Sequence, residues 1–147
     1  MSNFVATLKS TLLALCCMGA CLCSVHAEIS PSLYSRMGGA PVVTALVADT
    51  IDHAARDPQL QATFAGVNLA RVKQHFAELI CERGGGGCSY SGDTMHDAHG
   101  GLGITEAQFF RLVEVLRDAM RRQGIQLRER NEILQIFAPM KRDIVER

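Results

Sequence analysis

Residues 68–83 read Asn-Leu-Ala-Arg-Val-Lys-Gln-His-Phe-Ala-Glu-Leu-Ile-Cys-Glu-Arg, and four glycines follow at 84–87. Leu69, Val72, Phe76, Leu79 and Ile80 recur with the period of a helix and make one apolar stripe. Asn68 is a good N-cap for that helix, and the glycine run ends it near Arg83. His75 falls inside the stripe, three residues after Val72 and four before Leu79, while Glu78 and Glu82 face elsewhere. The stretch therefore predicts a core helix that carries a histidine inward.

The flanks read the same way. Upstream, Pro41 sits just after Gly38-Gly39, where a helix can begin. Val42, Val43, Leu46, Val47, Thr50, Ile51 and Ala54 then follow a 3.6-residue stripe until Asp57-Pro58 breaks it. A short helical turn carries Leu60 and Phe64 and stops at Gly66. Downstream, a loop holds Cys88, Tyr90 and Gly92, and Asp93 is positioned to cap a short helix reaching His99. Thr105-Glu106-Ala107-Gln108 has the form of an N-terminal capping signal, followed by Phe109, Leu112, Val113, Leu116 and Met120 as a buried face. Gly124 closes that helix. A last amphipathic helix carries Leu127, Ile133, Leu134, Ile136 and Phe137, then Met140, Ile144 and Val145, with a kink expected at Pro139. No run alternates with period two over a useful length. The fold class is all-α, some five helices joined by glycine-rich connections.

The segment after Asp93 repeats the inward histidine: Met95, Ala98, His99 and Leu102 stand at i, i+3, i+4 and i+7. A buried neutral imidazole needs a partner for each ring nitrogen, and neither segment offers an inward carboxylate or hydroxyl close in sequence. One such histidine is usually a satisfied core residue. Two on separate segments, in a core of Leu, Val, Met and Phe, point to a planar apolar ligand that bears iron, which is haem. Zinc is the other reading, with His96 and His99 as an i, i+3 pair, but His96 lies toward the polar side and no third inward ligand accompanies it. His53 reads as exposed beside Asp52. The C-x-x-C-H attachment signature is absent, so the haem would be b-type, and no histidine follows His99 to cross-link it from the last two helices.

The 147 residues suffice for one domain. Residues 1–27 have the form of a cleavable signal peptide: Lys9, an apolar run from Leu12 to Cys23, then Val25 and Ala27 at the cleavage site. The apolar run is too short to span a bilayer. The expectation is a periplasmic or secreted domain over residues 28–147, with a lipid anchor on Cys21 as a lesser alternative. Fifteen basic and fifteen acidic residues balance, and the first 27 residues contain only Lys9 among them, leaving one net negative charge. Such a surface has no footprint for nucleic acid or anionic lipid. Cys81 and Cys88 are expected to pair in an oxidising compartment, with free thiols or metal ligation as alternatives.

From Leu33 to about Val145 the sequence resembles the group I truncated haemoglobins. The resemblance rests on Leu33-Tyr34-x-Arg36-Met37-Gly38-Gly39, on Asp57-Pro58-x-Leu60 leading to Thr63-Phe64-Ala65-Gly66-Val67, and on Tyr90-Ser91-Gly92. It continues through Met95, Ala98-His99-x-x-Leu102-x-Ile104 and Phe137-Ala138-Pro139 to Asp143-Ile144-Val145. It implies a two-over-two helical sandwich, haem with His99 as the proximal iron ligand, Phe64 stacked on the ring, and binding of O2, NO or CO. Ile51 and Phe76 match positions where the family often carries Tyr and Gln as donors to bound oxygen, and Val72 matches a pocket position. His75 matches a place where some relatives carry a second iron-binding histidine. It either closes the sixth coordination position or reaches the haem edge. Lys73 and Arg71 are candidate partners of the haem propionates.

Two uses follow. One is reversible diatomic-gas binding, extending at most to NO dioxygenase-type or other haem redox chemistry. The other is electron transfer or redox sensing by a bis-histidine haem, served by an unidentified electron donor. A haem-free helical binding module is the third class. No Ser-His-Asp or paired-carboxylate constellation lies on an inward face.

Overall fold

The computed structural model describes residues 30–146. The signal-peptide reading of residues 1–27 and the anchor at Cys21 lie outside the described residues. Seven α-helices follow in order: α1 Leu33–Arg36, α2 Gly39–Ala54, α3 Leu69–Arg83, α4 Met95–His99, α5 Glu106–Arg122, α6 Leu127–Phe137 and α7 Lys141–Ile144. Single 3-10 turns occupy Gln61–Phe64 and Ala138–Met140, the second at the expected kink beside Pro139. The described residues contain no strand. No described helix is long and apolar enough to cross a membrane.

Short polar side chains set where the helices start. Asn68 Oδ1 accepts from the Arg71 amide at 3.2 Å. Thr105 and Gln108 form a reciprocal capping box: the Thr105 hydroxyl accepts from the Gln108 amide at 3.3 Å, and the Thr105 amide donates to Gln108 Oε1 at 2.9 Å. Each such cap stabilises its helix by about 1 kcal/mol. The start of α4 differs from the sequence reading. Thr94, not Asp93, is the cap, because its extended backbone brings Oγ1 within 3.1 Å of the Asp97 amide.

The four long helices form the two-over-two sandwich. α2 lies centrally, packed on α3 and on α5, and α5 meets α6. Val43, Leu46, Val47, Ile80, Met120 and Ile133 are fully buried where these helices meet. Burial of each such side chain contributes about 1.5–3 kcal/mol. Thr50 is buried among them and donates its hydroxyl to the Leu46 carbonyl at 2.7 Å, so this polar atom costs little.

α1 is fixed to α6 by Arg36, which bonds Glu129 at 3.0 Å and also pairs with Glu132. It also crosses the end of α3, where the Tyr34 amide donates to the Gly84 carbonyl at 2.9 Å. A side chain at Gly86 would come within 2.6 Å of both Cys81 Sγ and the Tyr34 ring, so the run of glycines lets helix end, bridge and α1 approach closely. Cys81 and Cys88 are joined by a disulfide with 5.7 Å between their Cα atoms.

Candidate functional site

A cavity of about 270 Å³ opens among α2, α3, α4, α5 and the C-terminal turn. Ile51 comes from α2, Phe64 from the first 3-10 turn, and Val72, His75, Phe76 and Leu79 from α3. Met95, Ala98 and His99 come from α4, and Phe137, Met140 and Ile144 close the far side. Phe64, Val72, Phe76, Leu112, Val113, Phe137, Met140 and Ile144 are only half-buried. These are residues that normally fill a core, yet they face space that no other side chain occupies. A packed interior does not leave so much apolar surface uncovered, and a concave apolar lining is the form of a ligand pocket.

His99 ends α4, and its ring chemistry is set by its own helix. Nδ1 lies 2.8 Å from the Met95 carbonyl oxygen. A carbonyl only accepts, so Nδ1 carries the proton and Nε2 of the neutral ring holds a lone pair. A half-buried imidazole on the cavity wall with Nε2 unprotonated is a metal ligand in waiting.

His75 is engaged differently. Its Nδ1 lies 3.2 Å from Glu78 Oε2 and 3.4 Å from Ser91 Oγ, while Nε2 accepts from Arg71 Nε at 3.2 Å. The sequence reading found no local partner for this ring. The structure supplies three, because Glu78 turns toward the ring instead of away from it and the 84–94 loop folds back on α3. Glu78 also accepts from the Ser91 hydroxyl at 2.7 Å, the Ser91 amide at 3.1 Å and Gln74 Nε2 at 2.9 Å. These bonds, the Ser91 hydroxyl first, lower its pKa from 4.5 to about 2. Glu82 holds the same loop by accepting from the Tyr90 amide at 2.6 Å.

Two of the sequence-derived site residues stand elsewhere. Lys73 points to α2 and pairs with Asp52 at 2.7 Å, outside the cavity wall. Leu102 is 48% exposed and does not line the cavity. Its assignment extended the helical period beyond α4, but the helix ends at His99 and Gly101 has φ of 79°, so the stripe is lost at that bend. Tyr90 is a wall residue that helical periodicity could not reveal, since it lies in a loop. Its hydroxyl donates to the Asp93 carbonyl at 2.8 Å. The Thr50 hydroxyl is likewise committed to its own helix. Neither Ile51 nor Phe76 has a side-chain polar atom to offer a ligand.

Residues 32–146 match the model of the family described as bacterial-like globin. The chain belongs to the bacterial-like globin family. Among its relatives is the group 1 truncated hemoglobin GlbN of Mycolicibacterium paratuberculosis, 32% identical over 113 residues, which covers 77% of this chain and 83% of that protein. A group 1 truncated hemoglobin GlbN from Nostoc sp. is 26% identical over 110 residues, 75% of this chain and 93% of that one. The fold is that of the 2/2 hemoglobin from Synechococcus sp. PCC 7002, with TM-score 0.74 at 24% identity over 80% of this chain and all of that one. It is equally that of the truncated hemoglobin from Tetrahymena pyriformis, TM-score 0.75 at 19% identity, with 80% of this chain and 100% of that one covered.

Globins carry haem, and the residues of this globin fit it. The half-buried apolar wall matches the faces of a flat macrocycle, Phe64 and Phe137 offer aromatic surfaces, and His99 offers an imidazole with its outer nitrogen already hydrogen-bonded.

Proposed function

We propose that this globin holds haem b in the cavity with His99 as proximal ligand and binds diatomic gases on the opposite side. The Nδ1–H bond from His99 to the Met95 carbonyl carries the reading, because it fixes both the tautomer and the ring orientation that iron ligation needs. Haem iron supplies reversible coordination of a small ligand and one-electron chemistry. The chain contributes the rest. His99 sets electron donation to the metal, and Ile51, Val72 and Phe76 line the ligand side with hydrocarbon. Phe64, Met95 and Phe137 exclude water from the ring faces. Absence of the C-x-x-C-H signature supports noncovalent b-type binding.

Ile51 and Phe76, which carry no donor, favour CO and NO over O2, since the polar Fe–O2 unit gains most from a hydrogen bond. His75 supports a second reading, because it shares the cavity with His99. A bis-histidine resting state requires its Nε2 to leave Arg71, and would suit electron transfer to and from a donor protein. The visible spectrum of the protein mixed with haemin, oxidised and reduced, tests both readings in wild type and His75→Ala. Five-coordinate reduced protein that binds CO at once supports the gas binder. A six-coordinate spectrum that becomes five-coordinate only in His75→Ala supports the redox protein, and no haem uptake overturns both.

The N-terminal sequence supports export to an extracytoplasmic compartment, where Cys81 and Cys88 can oxidise. Mass spectrometry of the mature protein checks it: a chain beginning at Glu28 supports cleavage after Ala27, a lipid on Cys21 supports the anchored alternative, and an intact Met1 argues against export.

A further inference from the structure

His75 is held from both ends. Arg71 lies one turn before it on α3 and donates to Nε2; Glu78 lies one turn after it and accepts from Nδ1–H. Residues at i−4 and i+3 stand on the same face of a helix, one below and one above. The imidazole therefore lies lengthwise along α3, its two nitrogens directed along the helix and not across the cavity. The Tyr90 ring meets it edge-on, with centroids 6.0 Å apart.

The two ends are unequal. Arg71 is exposed, and its long side chain is free to leave. Glu78 is fixed by four donors: Gln74 on the same helix, the amide and the hydroxyl of Ser91, and the His75 ring itself. The Ser91 loop is in turn fixed to α3 by the Glu82–Tyr90 bond and by the Cys81–Cys88 bridge. A carboxylate so restrained cannot follow the ring if it swings.

We propose that Glu78 is a positioning residue which keeps His75 along α3, away from the iron, and so holds the sixth coordination position open to diatomic ligands. The inference rests on the haem reading above. The opposite role is equally well defined chemically: a carboxylate on the outer nitrogen of a ligating histidine strengthens its bond to metal. The two roles predict opposite signs, and that makes the test decisive.

The experiment compares wild type, Glu78→Ala, Glu78→Gln, Arg71→Ala and the double variant Glu78→Ala/His75→Ala. Each is reconstituted with haemin, reduced, and mixed with CO. Wild type should be five-coordinate. Glu78→Ala should develop the low-spin six-coordinate spectrum, and if a tenth of the molecules stay open its apparent CO affinity falls about tenfold. Gln keeps an acceptor oxygen for His75 and Ser91, so Glu78→Gln should return to the wild-type spectrum. The double variant should be five-coordinate again, which shows that the change passes through His75. Arg71→Ala, at an exposed position, should move in the same direction as Glu78→Ala and serves if the latter does not fold.

A readout without haem is the nitrogen-15 NMR spectrum of the histidine rings in the apoprotein. The Nδ1–H proton of His75 should keep its hydrogen-bonded shift in Glu78→Gln and lose it in Glu78→Ala. A Glu78→Ala protein as open to CO as wild type overturns the proposal, and so does a wild type that His75 already ligates. No haem uptake by any variant fails the underlying haem reading instead, and the proposal with it.

Discussion

His99 Nδ1 and the Met95 carbonyl lie 2.8 Å apart, one turn of α4 from each other. A helix of only five residues thus orients its own terminal imidazole without help from another element. Removing that imidazole should abolish stable haem uptake: His99→Gly should lower affinity by more than the roughly 10- to 100-fold typical of losing a supporting contact to a metal ligand. Added free imidazole should restore the visible spectrum. Unchanged haem binding in His99→Gly, measured by titration with haemin, would remove His99 from the proximal role.

Donors can be put back on the ligand side. Phe76→Gln and Ile51→Tyr each introduce one group able to bond a polarised ligand, worth about 1.5–3 kcal/mol. O2 dissociation, followed by stopped flow, should slow roughly 10- to 100-fold in each variant, while CO dissociation changes much less. Equal effects on both gases would mean that the substitutions act through pocket volume alone.

The Cys81–Cys88 bridge closes a loop seven residues apart in sequence. On the chain-entropy account it should stabilise the fold by about 2–3 kcal/mol. Urea unfolding of wild type against Cys81→Ser/Cys88→Ser measures this directly. A difference in unfolding free energy under about a few tenths of a kcal/mol would mean that the folded loop holds itself.

Gly86 offers a packing test at the same place. A methyl group there would stand 2.6 Å from Cys81 Sγ and from the Tyr34 ring. Gly86→Ala should cost about 1–3 kcal/mol by overpacking, read as a lowered Tm. Gly87, with open space around its missing Cβ but φ of 78°, should be less sensitive to volume than to backbone strain.

Acid should loosen the fold through Glu78 and through carboxylates paired with arginine, two of which join separate helices or turns. Arg111 hydrogen-bonds Asp57 at 2.6 and 2.8 Å, and Arg36 bonds Glu129 at 3.0 Å. In each case the arginine hydrogen bond is the main cause of a lowered carboxyl pKa. A carboxylate whose pKa is lower folded than unfolded adds stability above its unfolded value, and that stability is lost as pH falls through the folded value. Stability should therefore decline from about pH 4 downward. Asp57→Asn should flatten the decline and lower stability near neutrality. An Asp57→Asn protein with the wild-type acid profile, followed by circular dichroism, would show that this pair is not responsible.

The helix ends were the most legible part of the chain. Asn68, the Thr105–Gln108 box and the glycines after Arg83 act within one turn of backbone, so local sequence specifies them. The apolar stripes of α2, α3 and α5 follow from the period of the helix in the same way. Leu102 stands off the cavity wall because periodicity is informative only while the helix lasts, and α4 stops at His99. The Lys73–Asp52 pair was not legible because its two residues are 21 positions apart on different helices.

The sequence by itself determined that this is an all-helical chain with two histidines on apolar stripes, since stripe, cap and stop are set by neighbours within about four positions. Only the tertiary structure decided what His75 does with its nitrogens. His99 finds its partner on its own helix, at Met95. His75 shares Glu78 with Ser91, a residue 16 positions away. That meeting depends on the 84–94 loop folding back over α3, which glycine conformations and a disulfide permit but which no local pattern encodes.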